Sequence, residues 1–169
     1  MLSRVFVKTL RNRAISRWSS SSGADPRVVQ KLVGDGIVHV ELNRGEKMNA
    51  LDMNMFDELT EVASKLSKER GLRAVVLSGK GKSFCAGLDV KKMAMNSPLD
   101  TMEKLLKRPA GHPWSNLAQD MGYLWRQIPV PVICAVHGVC YGGGLQIALG
   151  ADFRIAGSAC KFSILESKW

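Results

Sequence analysis

Long apolar runs are missing from this chain of 169 residues. A membrane-spanning helix needs roughly 18 to 20 consecutive apolar residues, and no stretch supplies them, so no span is expected. Cysteine is scarce and scattered: Cys85, Cys134, Cys140 and Cys160 lie far apart and form no C-x-x-C pair. That argues against a disulfide framework or a zinc ribbon and leaves four small residues suited to a buried, reduced interior; no metal is expected. Aromatic residues make up only 7% of the chain. The formal net charge of +9 suggests nucleic acid, but basic and aromatic residues are not interleaved, so nucleic-acid binding is disfavoured. Acidic residues are absent from positions 1–22, which hold Arg4, Lys8, Arg11, Arg13 and Arg17, so five of the nine excess charges sit in this leader.

That leader is Arg-rich, Ser-rich and able to form a basic amphipathic helix, the pattern of a mitochondrial transit peptide. A secretory signal would need an apolar stretch of about 7 to 15 residues, and Lys8, Arg11 and Arg13 interrupt every candidate. Residues 1–22 are therefore expected to be a transit peptide to the mitochondrial matrix, residues 23–27 a linker, and residues 28–169 a core domain. At this length, with 46% hydrophobic residues, one domain with its own core is the expectation.

Patterning along the core predicts an α/β architecture. Val28 to Val33 and Ile37 to Leu42 are β-rich runs around Gly34-Asp35-Gly36, a hairpin signal. Phe56, Leu59, Val62 and Leu66 recur at helical spacing behind a capping Asp52, and the helix should end near Gly71. Ala74 to Leu77 reads as a strand covered on both faces. The segment from Met95 to Pro113 is ambiguous, with Thr101 to Leu106 weakly helical. Trp114, Leu117, Met121 and Leu124 predict another helix, Val130 to Val136 a strand, Leu145 to Leu149 a helix and Phe153 to Ala156 a strand. Helices alternating with strands after a hairpin suggest repeated ββα-like units.

Two strand-to-helix junctions carry small residues where backbone must approach something closely: Ser83 to Asp89, and His137 to Gly144. Glycines there leave N–H groups open at the positive end of a helix, suited to an anion or a developing oxyanion. Known loops of that kind do not fit. Gly81-Lys82-Ser83 resembles the end of a Walker A motif, but its first glycine would fall at Val76. Phe84 stands where a dinucleotide fingerprint needs its third glycine, and no G-x-S-x-G elbow occurs.

The segments Ser83-Phe84-Cys85-Ala86-Gly87-Leu88-Asp89-Val90, His137-Gly138-Val139-Cys140-Tyr141-Gly142-Gly143-Gly144-Leu145 and Ala151-Asp152-Phe153-Arg154-Ile155-Ala156 resemble, in order and spacing, the signature blocks of the crotonase (enoyl-CoA hydratase/isomerase) superfamily. Leu42-Asn43-Arg44 with Met48-Asn49-Ala50-Leu51 is similar to its N-terminal block, so the match spans roughly Val28 to Trp169. The resemblance implies the ClpP/crotonase-like α/β fold and an acyl-CoA substrate whose thioester oxygen is held by the backbone N–H groups of Leu88 and Gly143. It implies a coenzyme A pocket lined by Lys47, Met48, Asn49, Ala50, Ala86, Gly87, Asp89, Val90, Lys91 and Gly142. No cofactor is implied, since coenzyme A enters as part of the substrate.

The family's two acidic positions correspond here to Gln146 and Glu166. A carboxamide neither takes nor gives a proton at neutral pH, so Glu166 is the one credible shuttle. One carboxylate suffices to isomerise a double bond, whereas hydration needs help at two atoms, and isomerisation is favoured. His137 is read as structural, Asp152 as shaping the fold and Asp89 as a loop stabiliser, while Lys80, Lys82, Lys91 and Lys92 are placed to attract the coenzyme A phosphates. Members of the family continue well past the second acid with helices that close the acyl pocket and build trimers or hexamers. This chain ends three residues after Glu166, so the C-terminal helical part is expected to be missing. The alternative is a non-catalytic acyl-CoA or RNA-binding protein of the same fold, or an inactive fragment.

Overall fold

A computed structural model describes residues 25–95, 97–108 and 114–168. The expected transit peptide lies outside the described residues. So does much of the ambiguous segment, at 96 and 109–113.

The opening hairpin forms as predicted. Strand β1 (Val28–Gly34) pairs antiparallel with β2 (Ile37–Leu42) across Asp35-Gly36. Gly36 has φ +74°, and an added Cβ would lie 2.4 Å from the Gly71 carbonyl oxygen, so only glycine suits the turn. Helix α1 (Met53–Leu66) follows, capped by Asp52, whose carboxylate accepts from Met55 N–H at 3.0 Å. It buries Met55, Phe56, Leu59, Val62, Ala63 and Leu66. Each such side chain contributes about 1.5 to 3 kcal/mol of hydrophobic stabilisation, except for the smaller alanine.

Strand β3 (Ala74–Gly79) joins β2 in parallel, β4 (Val132–Val136) joins β3, and β6 (Phe153–Ala156) joins β4, giving the sheet order β1-β2-β3-β4-β6. Burial along β2, β3 and β4 alternates, which corrects the expectation that β3 is covered on both faces. Val40, Leu42, Val75, Leu77, Val132 and Cys134 share the core cluster with α1 and the fully buried Trp125, whereas Val76 and Ile133 point to the less covered face. All four residues of β6 are exposed.

Between β3 and β4 lie α2 (Val90–Met95), α3 (Pro98–Leu106), α4 (Leu117–Tyr123) and a 3-10 turn at Leu124–Gln127. The predicted helix from Trp114 starts later. Asn116 caps α4 in a reciprocal capping box with Gln119, so Trp114 stays outside the helix at 79% exposure. Helix α5 (Gly143–Gly150) is preceded by a three-residue strand, β5 (Val139–Tyr141), which pairs in parallel with β7 (Lys161–Ser163). A 3-10 turn at Leu165–Lys168 follows β7.

The last residues of the expected linker at 23–27 are bonded to the turn after β2 and to the residue that caps α1. Pro26 and Arg27 accept from the Asn43 side chain and the Asn43 N–H through their carbonyls, at 2.8 and 2.7 Å, and the Arg27 side chain reaches Asp52.

Candidate functional site

Three segments lie side by side at the carboxyl ends of β2, β3 and β4. They are the turn after β2 (43–51), the loop after β3 (80–89) and the stretch through β5 into α5. The first segment turns sharply because Met48 and Asn49 both adopt left-handed backbone, with φ 49° and 54°. Asparagine tolerates that conformation through its short polar side chain, whereas at Met48 it costs on the order of 1 kcal/mol. Asn49 is fully buried. Its carboxamide accepts from Arg44 N–H at 2.8 Å and donates to the Lys80 and Ser83 carbonyls at 2.9 Å each, riveting the first segment to the second.

Parallel pairing then runs along the loop. Ala86 N–H donates to the Met48 carbonyl, Leu51 N–H to the Gly87 carbonyl at 2.8 Å and Asp89 N–H to the Leu51 carbonyl at 2.9 Å. On the other side Phe84 N–H donates to the His137 carbonyl, Cys85 N–H to the Val139 carbonyl and Tyr141 N–H to the Cys85 carbonyl. The loop is thus a central strand between two neighbours, as the bridges Leu51 to Leu88 and Cys85 to Cys140 record.

That geometry decides where two amides point. In a trans peptide the C=O and N–H lie on opposite sides. The Gly87 carbonyl faces Leu51, so the N–H of the same peptide, belonging to Leu88, faces away from it. The Gly142 carbonyl accepts from Gln146 N–H at 3.1 Å inside α5, so Gly143 N–H opens outward at the first helical position, where no intrahelical acceptor exists. Among the described residues neither Leu88 N–H nor Gly143 N–H meets an acceptor.

Close packing holds the loops together. Gly87, at φ +88°, lies so near the next segment that an added Cβ would sit 2.9 Å from the Tyr141 carbonyl oxygen. At Gly144 an added Cβ would meet Cys85 Cβ at 2.6 Å and the Cys85 carbonyl oxygen at 2.7 Å.

A buried charge network supports the same loops from below. Asp52 is 1% exposed and faces Arg27, Arg44 at 3.7 Å and Lys92. Burial opposes its ionisation, but Lys92, the Met55 N–H and Arg27 outweigh that and hold its carboxyl below the usual carboxylate range. Asp89 also titrates low: against its burial stand the Lys92 N–H, which it accepts at 3.1 Å, and the Arg44 guanidinium at 2.7 Å. Asp89 therefore caps α2. The thiols behave oppositely. Burial pushes Cys85 up to about 12, and its Sγ donates to the Asn49 carbonyl, so it is a packing residue rather than a nucleophile.

The remaining expected residues separate into reachable and occupied groups. Lys47, Met48, Val90 and Lys91 are exposed, Ala50 and Ala86 are half-buried, and Gly87 and Gly142 are buried. The left-handed turn directs the Asn49 side chain inward, and its carboxamide is bonded internally. The lysine cluster divides too. Lys92 pairs with Asp52 and Lys80 donates to Asn43, leaving Lys82 and Lys91 as exposed cations without an ion pair among the described residues. His137 meets the Gly81 carbonyl oxygen at 2.9 Å, and the Asp152 carboxylate accepts from Val132 N–H at 2.8 Å; both contacts are structural.

Gln146 is exposed on α5 and lines an open cavity of about 370 Å³ with Ala118, Gly122, Tyr123, Arg126 and Leu149. The backbone of Glu166 belongs to the 3-10 turn after β7, and its side chain lies outside the described residues.

A family model described as enoyl-CoA hydratase/isomerase matches residues 33–169. The chain belongs to the enoyl-CoA hydratase/isomerase family.

Within that family it is 35% identical over 140 residues to a mitochondrial Delta(3,5)-Delta(2,4)-dienoyl-CoA isomerase of Mus musculus, covering 77% of this chain and 40% of the relative. It is 38% identical over 137 residues to an (E)-benzylidenesuccinyl-CoA hydratase of Thauera aromatica, covering 80% and 49%. Among solved structures, an enoyl-CoA hydratase of Mycobacterium smegmatis superposes with TM-score 0.73 at 30% identity, over 85% of this chain and 52% of that one. The chain thus spans about two fifths to one half of the length of these relatives. The crotonase fold expected from the motifs is the fold observed.

Sequence reasoning missed Arg44 as the buried centre of the network and Ser163 as the acceptor for Gly142 N–H at 2.9 Å. Arg44 carried a signal, a lone arginine between a strand and a turn. Ser163 carried none, because a three-residue strand shows no period.

Proposed function

We propose that this protein polarises the thioester carbonyl of an acyl-CoA and isomerises a carbon–carbon double bond in the acyl chain. The reading rests on one observation, the two open amides at Leu88 and Gly143 on neighbouring, tightly packed loops. In the proposed reaction a base removes a proton from the acyl chain of the bound enoyl thioester. Charge moves through the conjugated system onto the thioester oxygen, and hydrogen bonds from the two amides strengthen as it does. Bonds that strengthen in this way stabilise the transition state more than the ground state.

Glu166 is the proposed base, returning the same proton to a different carbon. Gln146 orients substrate without exchanging a proton, and with a single carboxylate, isomerisation is favoured over hydration. Coenzyme A lies along the segments that contain Lys47, Met48, Ala50, Ala86, Val90 and Lys91, and the exposed Lys82 and Lys91 attract its phosphates. The same reading has the whole protein acting as a homo-oligomer in the mitochondrial matrix, without a tightly held cofactor.

The test is turnover of a 3-enoyl-CoA by the intact protein and by Glu166→Gln. A general acid–base residue contributes about 10² to 10⁴ in rate, so a fall of that size with coenzyme A binding retained supports the isomerase. Tight coenzyme A binding without turnover in the unaltered protein would instead support a non-catalytic binder. Hydration of crotonyl-CoA as the main reaction would overturn the preference for isomerisation.

A further inference from the structure

Arg44 is 5% exposed, and its Nη1 donates to two acceptors, the Ala50 carbonyl at 2.8 Å and the Asp89 carboxylate at 2.7 Å. The first of these contacts begins a chain of hydrogen bonds. The Ala50 carbonyl belongs to the same peptide as Leu51 N–H, and Leu51 N–H donates to the Gly87 carbonyl at 2.8 Å. The Gly87 carbonyl in turn belongs to the same peptide as Leu88 N–H, which has no acceptor among the described residues. Because C=O and N–H oppose each other in a trans peptide, the two peptide dipoles line up head to tail between the guanidinium and Leu88 N–H.

We infer that Arg44 is a positioning residue that fixes and polarises the Leu88 amide through the Ala50–Leu51 and Gly87–Leu88 peptides, strengthening it as a donor to the thioester oxygen. The inference rests on the reading of Leu88 as an oxyanion donor. Hydrogen bonds in series polarise one another, and in a water-poor interior the effect is not screened away. A cation bound to the first carbonyl draws electron density toward itself, so each N–H farther along carries more positive charge. Asp89 and Asp52 hold the guanidinium in place, and their negative charge partly offsets its pull. Asp89 shares Nη1 with the Ala50 carbonyl, so it competes directly with the relay. The arrangement also accounts for a buried arginine whose partners include a backbone carbonyl when two carboxylates stand within reach.

The experiment measures the infrared carbonyl stretch of a ¹³C-labelled enoyl-CoA thioester bound to the intact protein, to Arg44→Met and to Arg44→Lys. It is read together with kcat and with the affinity for free coenzyme A. In the unaltered protein the band lies below that of the free thioester. In Arg44→Met it moves back toward the free value, and kcat falls about tenfold, short of the 10² to 10³ that follows loss of a whole donor. Coenzyme A affinity changes less than about threefold, since a change confined to the oxyanion amide leaves nucleotide contacts in place. Arg44→Lys, which keeps a cation near the Ala50 carbonyl, recovers most of the band shift.

A folded Arg44→Met protein whose bound thioester keeps the wild-type band overturns the relay while leaving the oxyanion reading intact. An unshifted band in the unaltered protein overturns the oxyanion reading itself. Should Arg44→Met not fold, Asp89→Asn carries the test, because removing the competing anion predicts a further lowering of the band. An unchanged or raised band in Asp89→Asn overturns the relay.

Discussion

The N–H of Gly142 donates to the carbonyl of Ser163 at 2.9 Å, so the last strand lies directly against the glycine turn that opens α5. Glu166 follows Ser163 by three residues on the 3-10 turn Leu165–Lys168. Gln146 sits in the first turn of α5, on the other side of the same contact. The segments that carry the two positions the sequence marks for acid–base chemistry are therefore linked by this bond and by the β5–β7 pairing.

That junction predicts the effect of restoring a second carboxylate. Gln146→Glu should raise hydration of crotonyl-CoA relative to isomerisation of a 3-enoyl-CoA, because a second group able to exchange a proton would stand by the cavity. The ratio of the two rates is the measurement. A ratio that does not move would show that the residue at position 146 does not choose between the reactions.

Glycine packing makes a prediction about stability. An added Cβ at Gly144 meets the Cβ and backbone of Cys85, which are held by pairing on both sides, whereas at Gly143 it meets only the ends of Leu51 and Met121. Gly144→Ala should cost about 2 to 3 kcal/mol and Gly143→Ala about 1 kcal/mol or less, since overpacking is tolerated where flexible tips can move. Urea unfolding of the two variants decides it, and an equal cost would contradict the packing described.

Much of this frame was legible in the sequence, and each part that was not has its own physical reason. The hairpin, the Asp52-capped helix and the parallel strands announce themselves through turn residues, a cap with helical spacing behind it, and short apolar runs. Strands β5 and β7, of three residues each, are too short to show a period. Trp114 fits the apolar spacing of α4, yet Asn116 and Gln119 close the helix in front of it, and local capping outweighs one more apolar contact. Asn49, expected along the coenzyme A pocket, sits on a left-handed backbone that its sequence does not announce. Arg44 gains its role only from carbonyls and carboxylates that folding brings to it.

The Asp52 network predicts an acid limb of stability. Asp52 titrates below its ordinary value of 3.8 in the folded protein, so its stabilisation is fully present above the unfolded pKa and is lost as pH falls through the lower folded value. Asp52→Asn should melt well below the unaltered protein at pH 7, and the gap should narrow as pH falls below about 4, where protonation begins to remove the difference. A gap constant with pH would show that Asp52 contributes only as a helix cap.

Thiol reactivity should follow burial. Cys85, Cys134 and Cys140 are buried, and burial pushes each up to about 12, whereas Cys160 is only half-buried. Alkylation at pH 8 should therefore modify Cys160 first, with the other three reacting only on unfolding. Early labelling of Cys85, read by mass spectrometry, would contradict the pairing of its loop.

The most direct test of the whole account is a crystal structure of the intact protein with an acyl-CoA bound. The thioester oxygen is predicted to lie about 2.7 to 3.1 Å from both Leu88 N and Gly143 N, the range for donors aimed at a developing oxyanion. A thioester oxygen seated elsewhere, with those two amides facing solvent or some other group, would contradict it.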